Sequence, residues 1–302
     1  MKCLVTGGAG FIGSHLVDKL IEENHKVVAI DNLSSGKKEN INKKAKFYKI
    51  DICSSKIKDI FKKEKPEIVF HLAAIPRVPT SVEKPVETSK VNILGTVNIF
   101  KNSADFKVKR VIFASSSAIY GNQKKFPFVE TMEPCPLSPY GLQKLSGEQF
   151  AKLFLELYGL SIVCLRYFNV YGPRVDFNSD YSLVLGKFLN QKRKNIPLTI
   201  YGTGEQTRAF CYVEDVVSAN IKAMNSKKIK GGEIINIGSD KSYSVNYLAD
   251  LISKEKKYLS VRKGDVLHTK SDIKKAKNLL NWQPKTKFED GIKKTINWFN
   301  KN

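Results

Sequence analysis

Apolar and polar positions follow two periods along the first half of the chain. A short apolar run ends at Leu4-Val5-Thr6 and meets Gly7-Gly8-Ala9-Gly10-Phe11-Ile12-Gly13 at once. From Ser14 to Glu23, Leu16, Leu20 and Ile21 then recur at helical spacing. Val27-Val28-Ala29-Ile30 reads as a second strand ending at Asp31, and Phe47-Tyr48-Lys49-Ile50 as a third closed by Asp51. A helix is predicted over 57–61 and stopped by Pro66, before the strand Ile68-Val69-Phe70-His71-Leu72 runs into the small pair Ala73-Ala74. Residues 92–104 read as a helix, and Val111-Ile112-Phe113-Ala114 as a strand that delivers Ser115-Ser116-Ser117. A helix begins near Tyr140, and Ile162-Val163-Cys164-Leu165 is another strand. Strands alternating with helices predict an α/β chain with a doubly wound parallel sheet, whose ligands bind at the carboxyl edge of the strands.

The pattern changes at Asn169. Asn169-Val170-Tyr171-Gly172-Pro173-Arg174 reads as a loop, followed by a helix over 183–190. Short strands at 198–201 and 209–212 flank Gly202-Thr203-Gly204-Glu205. A helix over 213–224, a strand at 234–237 and closing helices at 273–280 and 288–299 complete the chain. This divides the protein into a first domain, 1–168, to which the chain returns near 212–236, and a smaller, mixed α/β lobe over 169–302.

Strand, glycine loop, helix, strand and terminal acid form the first unit of a Rossmann-like dinucleotide fold. The glycines allow a tight turn and leave helix N–H groups free for a pyrophosphate. Asp31 is placed to bond the adenosine ribose hydroxyls and to repel a 2′-phosphate, which favours NAD over NADP. The spacing is GxxGxxG rather than GxGxxG, so its context carries the assignment. Tyr140 and Lys144 are four residues apart and share one helix face. A cation beside the phenol lowers its pKa from about 10 toward a useful base, and a strand-end serine can share the proton. On spacing alone a solvated Tyr/Lys pair is the better reading; the glycine loop and the serine strand change that.

Composition alters this little. The 302 residues are 42% hydrophobic, and no apolar run approaches the ~18 residues of a membrane span. The lead before the glycine loop is too short for a signal peptide. Five scattered cysteines form no CxxC pair and fit reduced thiols in a cytoplasmic protein; no metal is called for. The net charge of +22 comes from lysines spread over almost every segment, with few arginines outside motifs. That argues for solvated faces rather than a nucleic-acid stripe, while still aiding encounter with an anionic substrate.

Together the glycine loop, Asp31-Asn32-Leu33, the serine run, Tyr140-Gly141-Leu142-Gln143-Lys144 and Arg166-Tyr167-Phe168-Asn169 carry a resemblance. It continues through Gly202-Thr203-Gly204, Arg208, Arg262-Lys263-Gly264-Asp265 and Asn281-Trp282-Gln283-Pro284. The chain resembles the extended short-chain dehydrogenase/reductase family, and within it the NAD-dependent UDP-hexose 4-epimerases. The resemblance implies that Tyr140 takes the proton of the sugar's 4-hydroxyl as hydride leaves carbon 4 for the nicotinamide. Lys144 then bonds the nicotinamide ribose and Ser116 is the catalytic serine, with Ser117 its nearest rival. The 4-keto sugar turns over and is reduced on its other face. NAD contacts are implied for Gly7, Gly10, Phe11, Ile12, Gly13, Asp31 and Asn32, for Asp51, Ile52, Leu72, Ala73, Ala74 and Asn92, and for Tyr140, Lys144 and Tyr167. On the substrate side, Asn169 meets the sugar diphosphate beside Ser116, Ser117 and Tyr140, and Arg208 and Arg262 clamp the pyrophosphate. Thr199 and Tyr201 border the uracil, and Asp265 bonds the ribose.

Thr269 stands where glucose-restricted members carry a bulky tyrosine, leaving room for an N-acetyl group. Ala73-Ala74-Ile75-Pro76-Arg77-Val78-Pro79 also looks like the N-acetylhexosamine branch. UDP-N-acetylglucosamine and UDP-N-acetylgalactosamine are therefore the expected substrates, with UDP-glucose and UDP-galactose also accepted. A homodimer through helices at 92–104 and 140–157 is a further implication. Rival readings are a 4,6-dehydratase or a UDP-glucuronate decarboxylase, but Ser116-Ser117-Ala118-Ile119-Tyr120 lacks the carboxylate those carry. A silent NAD sensor or nucleic-acid binder would not need serine, tyrosine and lysine together.

Overall fold

The computed structural model describes residues 1–177, 184–260 and 268–301. The strands are β1 (Lys2–Thr6), β2 (Lys26–Asp31), β3 (Lys46–Lys49), β4 (Ile68–His71), β5 (Arg110–Ser116), β6 (Ile162–Tyr167) and β7 (Val170–Tyr171). They continue with β8 (Leu198–Tyr201), β9 (Thr207–Arg208), β10 (Cys211–Tyr212), β11 (Ile234–Ile237), β12 (Tyr243–Ser244) and β13 (Lys256–Leu259). Seven of them form one sheet in the order β11-β6-β5-β4-β1-β2-β3. Every pairing in it is parallel. This is the sheet that the strand–helix alternation predicts. Strand order reverses between β1 and β4, and a crevice for ligands opens at their carboxyl ends.

Both faces of the sheet are covered, which is why its strands read as unbroken apolar runs. On one face Cys3, Val5, Val27 and Phe70 pack against α1 (Phe11–Glu22) and against the later helix over Val213–Asn225. On the other, Leu4, Val28, Val69 and Phe113 meet α2 (Ile57–Glu64), and further along the chain helices Thr96–Asp105 and Pro139–Tyr158. Between α2 and those lie α3 (Val78–Glu83), α4 (Pro85–Ser89) and a π-helical turn, Lys90–Gly95; the two long helices are thus α5 and α6. The helix expected over 92–104 therefore starts with a wide turn, a feature common at functional sites.

The second half is built from α7 (Val184–Arg193), α8 (Val213–Asn225), α9 (Val245–Asp250), α10 (Lys274–Leu280), α11 (Phe288–Lys301) and three two-stranded ladders. β7 runs through the stretch expected to be loop, and the strand expected over 209–212 is reduced to β10, with the unforeseen β9 just before it. Strands of two residues are too short to show a period. The closing segment is pinned where Trp282, buried, donates Nε1–H to the Asp215 carbonyl at 2.9 Å, and where the Asp215 carboxylate accepts from Lys285 and Thr286. Among the described residues no helix is long and apolar enough to cross a membrane.

α6 lies directly on β5 because Gly147 presents no side chain: a Cβ there would sit 2.5 Å from Phe113 Cζ. Helix propensity alone favours alanine over glycine by about 1 kcal/mol. Gly147→Ala is nevertheless expected to destabilise by about 1–3 kcal/mol through overpacking, read as a lower urea midpoint. A raised midpoint would show that α6 can ride higher on the sheet.

Candidate functional site

The carboxyl edge of β1 is held open by close backbone approach. Gly7 has φ +71° and its N–H donates to Ile30 O at 2.8 Å. A Cβ on Gly7 would lie 2.9 Å from Ala73 N, and one on Gly13 only 2.0 Å from Gly7 O. Gly10 stands at the start of α1 without a side chain to cap it, so the first-turn N–H groups face the loop. At the end of β2, Asp31 accepts from Ala9 N–H at 3.1 Å and Leu33 N–H at 2.8 Å, and it fills the space that a side chain on Gly36 would need. A cradle closed to every side chain, beside a carboxylate at the tip of β2, fits a dinucleotide.

The other residues assigned to the cofactor ring this loop. Phe11 and Ile12 open α1. Asn32 Nδ2 donates to Asp51 at 2.8 Å, joining the ends of β2 and β3. Ile52 packs into the gap left by Gly95 of the π-helical turn, and Leu72 and Ala73 press on Gly7, followed by half-buried Ala74. Asn92, buried in that turn, holds Ile75 through both its N–H and its carbonyl and donates to Gln143 of α6 at 2.7 Å. Tyr167 points its hydroxyl to Asn220 of α8 at 2.9 Å.

A chain of hydrogen bonds beneath the loop fixes one histidine. Ala73 N–H donates to Thr6 Oγ1, which lies 2.8 Å from His71 Nδ1. Thr96 Oγ1 donates to Asn92 O and lies 3.0 Å from His71 Nε2. The Thr96 proton is committed to Asn92, so Nε2 carries the hydrogen and Nδ1 accepts from Thr6, which assigns the tautomer of a neutral ring. Sequence periodicity gave no sign of this chain.

The serine, tyrosine and lysine converge at β5. Ser116 is the last residue of β5, and its Oγ accepts from Ala118 N–H at 3.1 Å. Ser117 begins the 3₁₀ turn Ser117–Ile119. α6 abuts that turn so closely that a Cβ on Gly141 would come 2.7 Å from Ala118 O. Ser138 caps α6, Pro139 occupies its first turn, and Tyr140 N–H donates to Ser81 Oγ at 3.1 Å. Burial pushes the Tyr140 phenol up to about 12, while a hydrogen bond with Ser116 pulls the other way. Lys144 Nζ donates to Ala114 O at 2.7 Å, lies 5.9 Å from the Tyr140 ring centroid, and is itself pushed down to about 8 by burial. The lowering of the tyrosine pKa expected from the Tyr/Lys spacing is thus outweighed here by desolvation, which spacing cannot report.

On the substrate side, Asn169 (φ +33°) donates Nδ2–H to Ala209 O at 3.0 Å and lies 3.4 Å from Thr269 Oγ1, which accepts from Ala209 N–H. Asn169, Thr269 and the segment after Arg208 therefore form one group. Arg208 lies in β9, opposite Tyr243. Thr199 and Tyr201 lie on β8 against α7, Thr199 bonded to Gln191 and Tyr201 under Lys187. Arg262 and Asp265 lie outside the described residues. Three links draw the segment after β7 onto α1 and the segment after β4: His15 with Pro173 O at 2.9 Å, Arg174 with Asp18 at 2.7 Å, and Arg77 with Asp176. Among the described residues no cluster of His, Cys, Asp and Glu is placed to hold a metal.

The NAD-dependent epimerase/dehydratase family model matches residues 3–238. The fold superposes on the UDP-glucose 4-epimerase of Thermotoga maritima, solved with UDP-glucose, at a TM-score of 0.95 and 44% identity, covering 100% of this chain and 99% of that one. It is similar to the UDP-N-acetylglucosamine 4-epimerase of Methanobrevibacter ruminantium, solved with UDP-N-acetylmuramic acid (TM-score 0.94, 40% identity, 99% and 98% coverage). A UDP-glucuronate 4-epimerase of Thermodesulfobacterium geofontis is 37% identical over 99% of this chain and 96% of its own.

His71 makes a pH prediction. Its folded pKa is pushed to about 3, first by burial and then by the Lys144 charge, against 6.5 in the unfolded chain. Above pH 6.5 both states are neutral. Between 6.5 and 3 the unfolded state binds a proton that the folded state refuses, so stability is lost as pH falls, by up to about 1.4 kcal/mol per unit. Urea unfolding of wild type and His71→Gln should differ in slope across that window, with the variant flatter; parallel slopes would exclude the assignment.

Proposed function

The chain belongs to the NAD-dependent epimerase/dehydratase family and is an NAD-dependent UDP-sugar 4-epimerase; within that class we propose UDP-N-acetylglucosamine and UDP-N-acetylgalactosamine as its substrate pair, with UDP-glucose and UDP-galactose also accepted. The observation that carries the sugar assignment is Thr269. It is small, its hydroxyl is tied down by Ala209 and Asn169, and it occupies the position where glucose-restricted members of the family it resembles carry tyrosine. Similarity to a UDP-N-acetylglucosamine 4-epimerase supports the same choice.

The geometry supports a division of labour. The glycine cradle and Asp31 hold the dinucleotide. Tyr140 moves the proton of the 4-hydroxyl, Ser116 bonds the phenol, and Lys144 supplies a fixed positive charge. Burial holds the Tyr140 phenol up at about 12, so it needs positive charge nearby to give up its proton at neutral pH. NAD held by the glycine cradle would supply the hydride acceptor and further positive charge. The turn after Ser116 offers no carboxylate for eliminating water, which keeps the chemistry to reversible oxidation at one carbon. Arg208 and Arg262 are assigned to the diphosphate, Asp265 to the ribose, and Thr199 and Tyr201 to the base.

The chain pairs with a second copy in this reading. Val86 of α4, Leu94 of the π-helical turn and Leu157 of α6 are 84%, 63% and 63% exposed, an apolar surface on neighbouring helices of the kind that marks an interface. Leu157→Glu should convert a dimer to a monomer in sedimentation; a monomeric wild type would exclude the pairing.

Incubation with UDP-glucose, UDP-galactose and the two N-acetylated sugars, with products resolved by chromatography, tests the substrate. Interconversion of the acetylated pair is expected, and turnover of the non-acetylated pair alone would overturn the assignment. Tyr140→Phe in the same assay should lower turnover at least about 10³-fold while NAD stays bound.

A further inference from the structure

Tyr140, Lys144 and Glu148 follow one another at intervals of four, so they lie on one face of α6, the face packed on β5 and β6. Glu148 is 3% exposed and Arg166, on β6, is 1% exposed. The guanidinium grips both carboxylate oxygens, Nε to Oε1 at 2.9 Å and Nη2 to Oε2 at 2.7 Å. Ser115 Oγ donates to the same Oε1 at 2.6 Å. Ser115 and Arg166 stand opposite each other across β5 and β6, and the guanidinium lies 4.6 Å over the Tyr120 ring. Arg166 Nη1 is buried without a hydrogen-bond partner among the described residues. One carboxylate thus ties α6 to two strands, immediately before Ser116.

Such a pair is a poor source of stability, because desolvating both ions offsets most of their attraction and apolar residues of similar volume do as well. Its position points to a different use. The titratable groups that bear on Lys144 are His71 from β4, Cys164 from β6, and Tyr140 and Glu148 from its own helix, with Arg166 standing behind Glu148 as its partner. Burial drives the ammonium down and the Glu148 charge opposes it, while His71 and the Cys164 thiol, itself pushed up by burial, are neutral. Where α4 and the π-helical turn pack on α6, uncharged Thr88, Ser89 and Asn92 meet Gln143. Glu148 is therefore the carboxylate that answers Lys144 among the described residues.

We propose that Glu148, gripped by Arg166 and Ser115, is a positioning residue for the reaction: it sets the height of α6 on β5, and so of Tyr140 against Ser116, and it keeps Lys144 an ammonium. This rests on the reading that Tyr140 and Lys144 carry the chemistry. Glu148→Gln keeps the shape and removes the charge. In the NAD-loaded enzyme the alkaline limb of its kcat–pH profile should move down by one unit or more, with KM changed less than about twofold. Ser115→Ala keeps both charges and loosens one tie, so kcat should fall about 3- to 10-fold with the limb in place; it also serves if Glu148→Gln fails to fold. An unmoved limb in Glu148→Gln, or an unchanged kcat in Ser115→Ala, overturns the proposal. Tyr140→Phe run in parallel separates the two failures: normal turnover there defeats the parent reading, whereas its loss beside an unmoved limb defeats only the role of Glu148.

Discussion

Everything at the ligand-facing edge depends on how closely separate chain segments approach at the ends of β1 and β4. Gly13 sits where a Cβ would be 2.0 Å from Gly7 O, Gly7 where one would be 2.9 Å from Ala73 N, and Gly8 where one would be 2.8 Å from Ala29 Cβ. With no side chains between them, the loop, β4 and the start of α1 share one set of backbone contacts. The polar groups that this contact buries have to be paired with each other rather than with water. That requirement produces the Thr6–His71–Thr96 chain, which passes the constraint from the glycine loop to Asn92 and, through Gln143, to the helix carrying Tyr140. The glycine loop and α6 are thus joined by side chains.

The sheet was legible because burial on both faces writes itself into sequence as apolar runs, most of them ended by a glycine, an acid or a small residue. Asp31, Asp51, Ala73 and Ser116 stand at strand ends for that reason. Two-residue strands such as β7 and β9 carry no period, so nothing in the sequence separates them from loop. The part of the π-helical turn inside the expected helix, 92–95, looks like ordinary helix in sequence because its apolar positions match either winding. Partners of buried polar groups were hidden altogether: nothing in the spacing of His71, Asn92 or Gln143 says what each one bonds. Glu148 offered one signal, an acid four residues beyond Lys144 and eight beyond Tyr140, but its meaning needed Arg166 across the sheet.

Tyr140 and Lys144 show why spacing and burial have to be weighed together. Four-residue spacing places them on one face and suggests mutual stabilisation as phenolate and ammonium. Burial disfavours both charged forms, raising the phenol to about 12 and lowering the amine to about 8. At neutral pH the protein alone therefore holds a neutral phenol beside an ammonium. Under the proposed function, Tyr140 would then keep its proton until further positive charge arrives, which would tie proton transfer to cofactor binding.

The crossing from β6 into the second half carries a related constraint. Within six residues the chain passes through Asn169 at φ +33°, Gly172 at +150° and Arg174 at +66°. Positive φ at a non-glycine residue costs of order 1–2 kcal/mol, least for asparagine, and is kept where surrounding contacts enforce it. Here the contacts lie on both sides. Asn169 is held outward by Ala209 and Thr269, while Pro173 and Arg174 are drawn back to His15 and Asp18 on α1. A relaxed β-region backbone at 169 and 174 would swing the chain away from one of these two sets. The strained turn lets a single short segment border the Asn169–Thr269 group on one side and α1 on the other, so a change that eases the strain should separate the two.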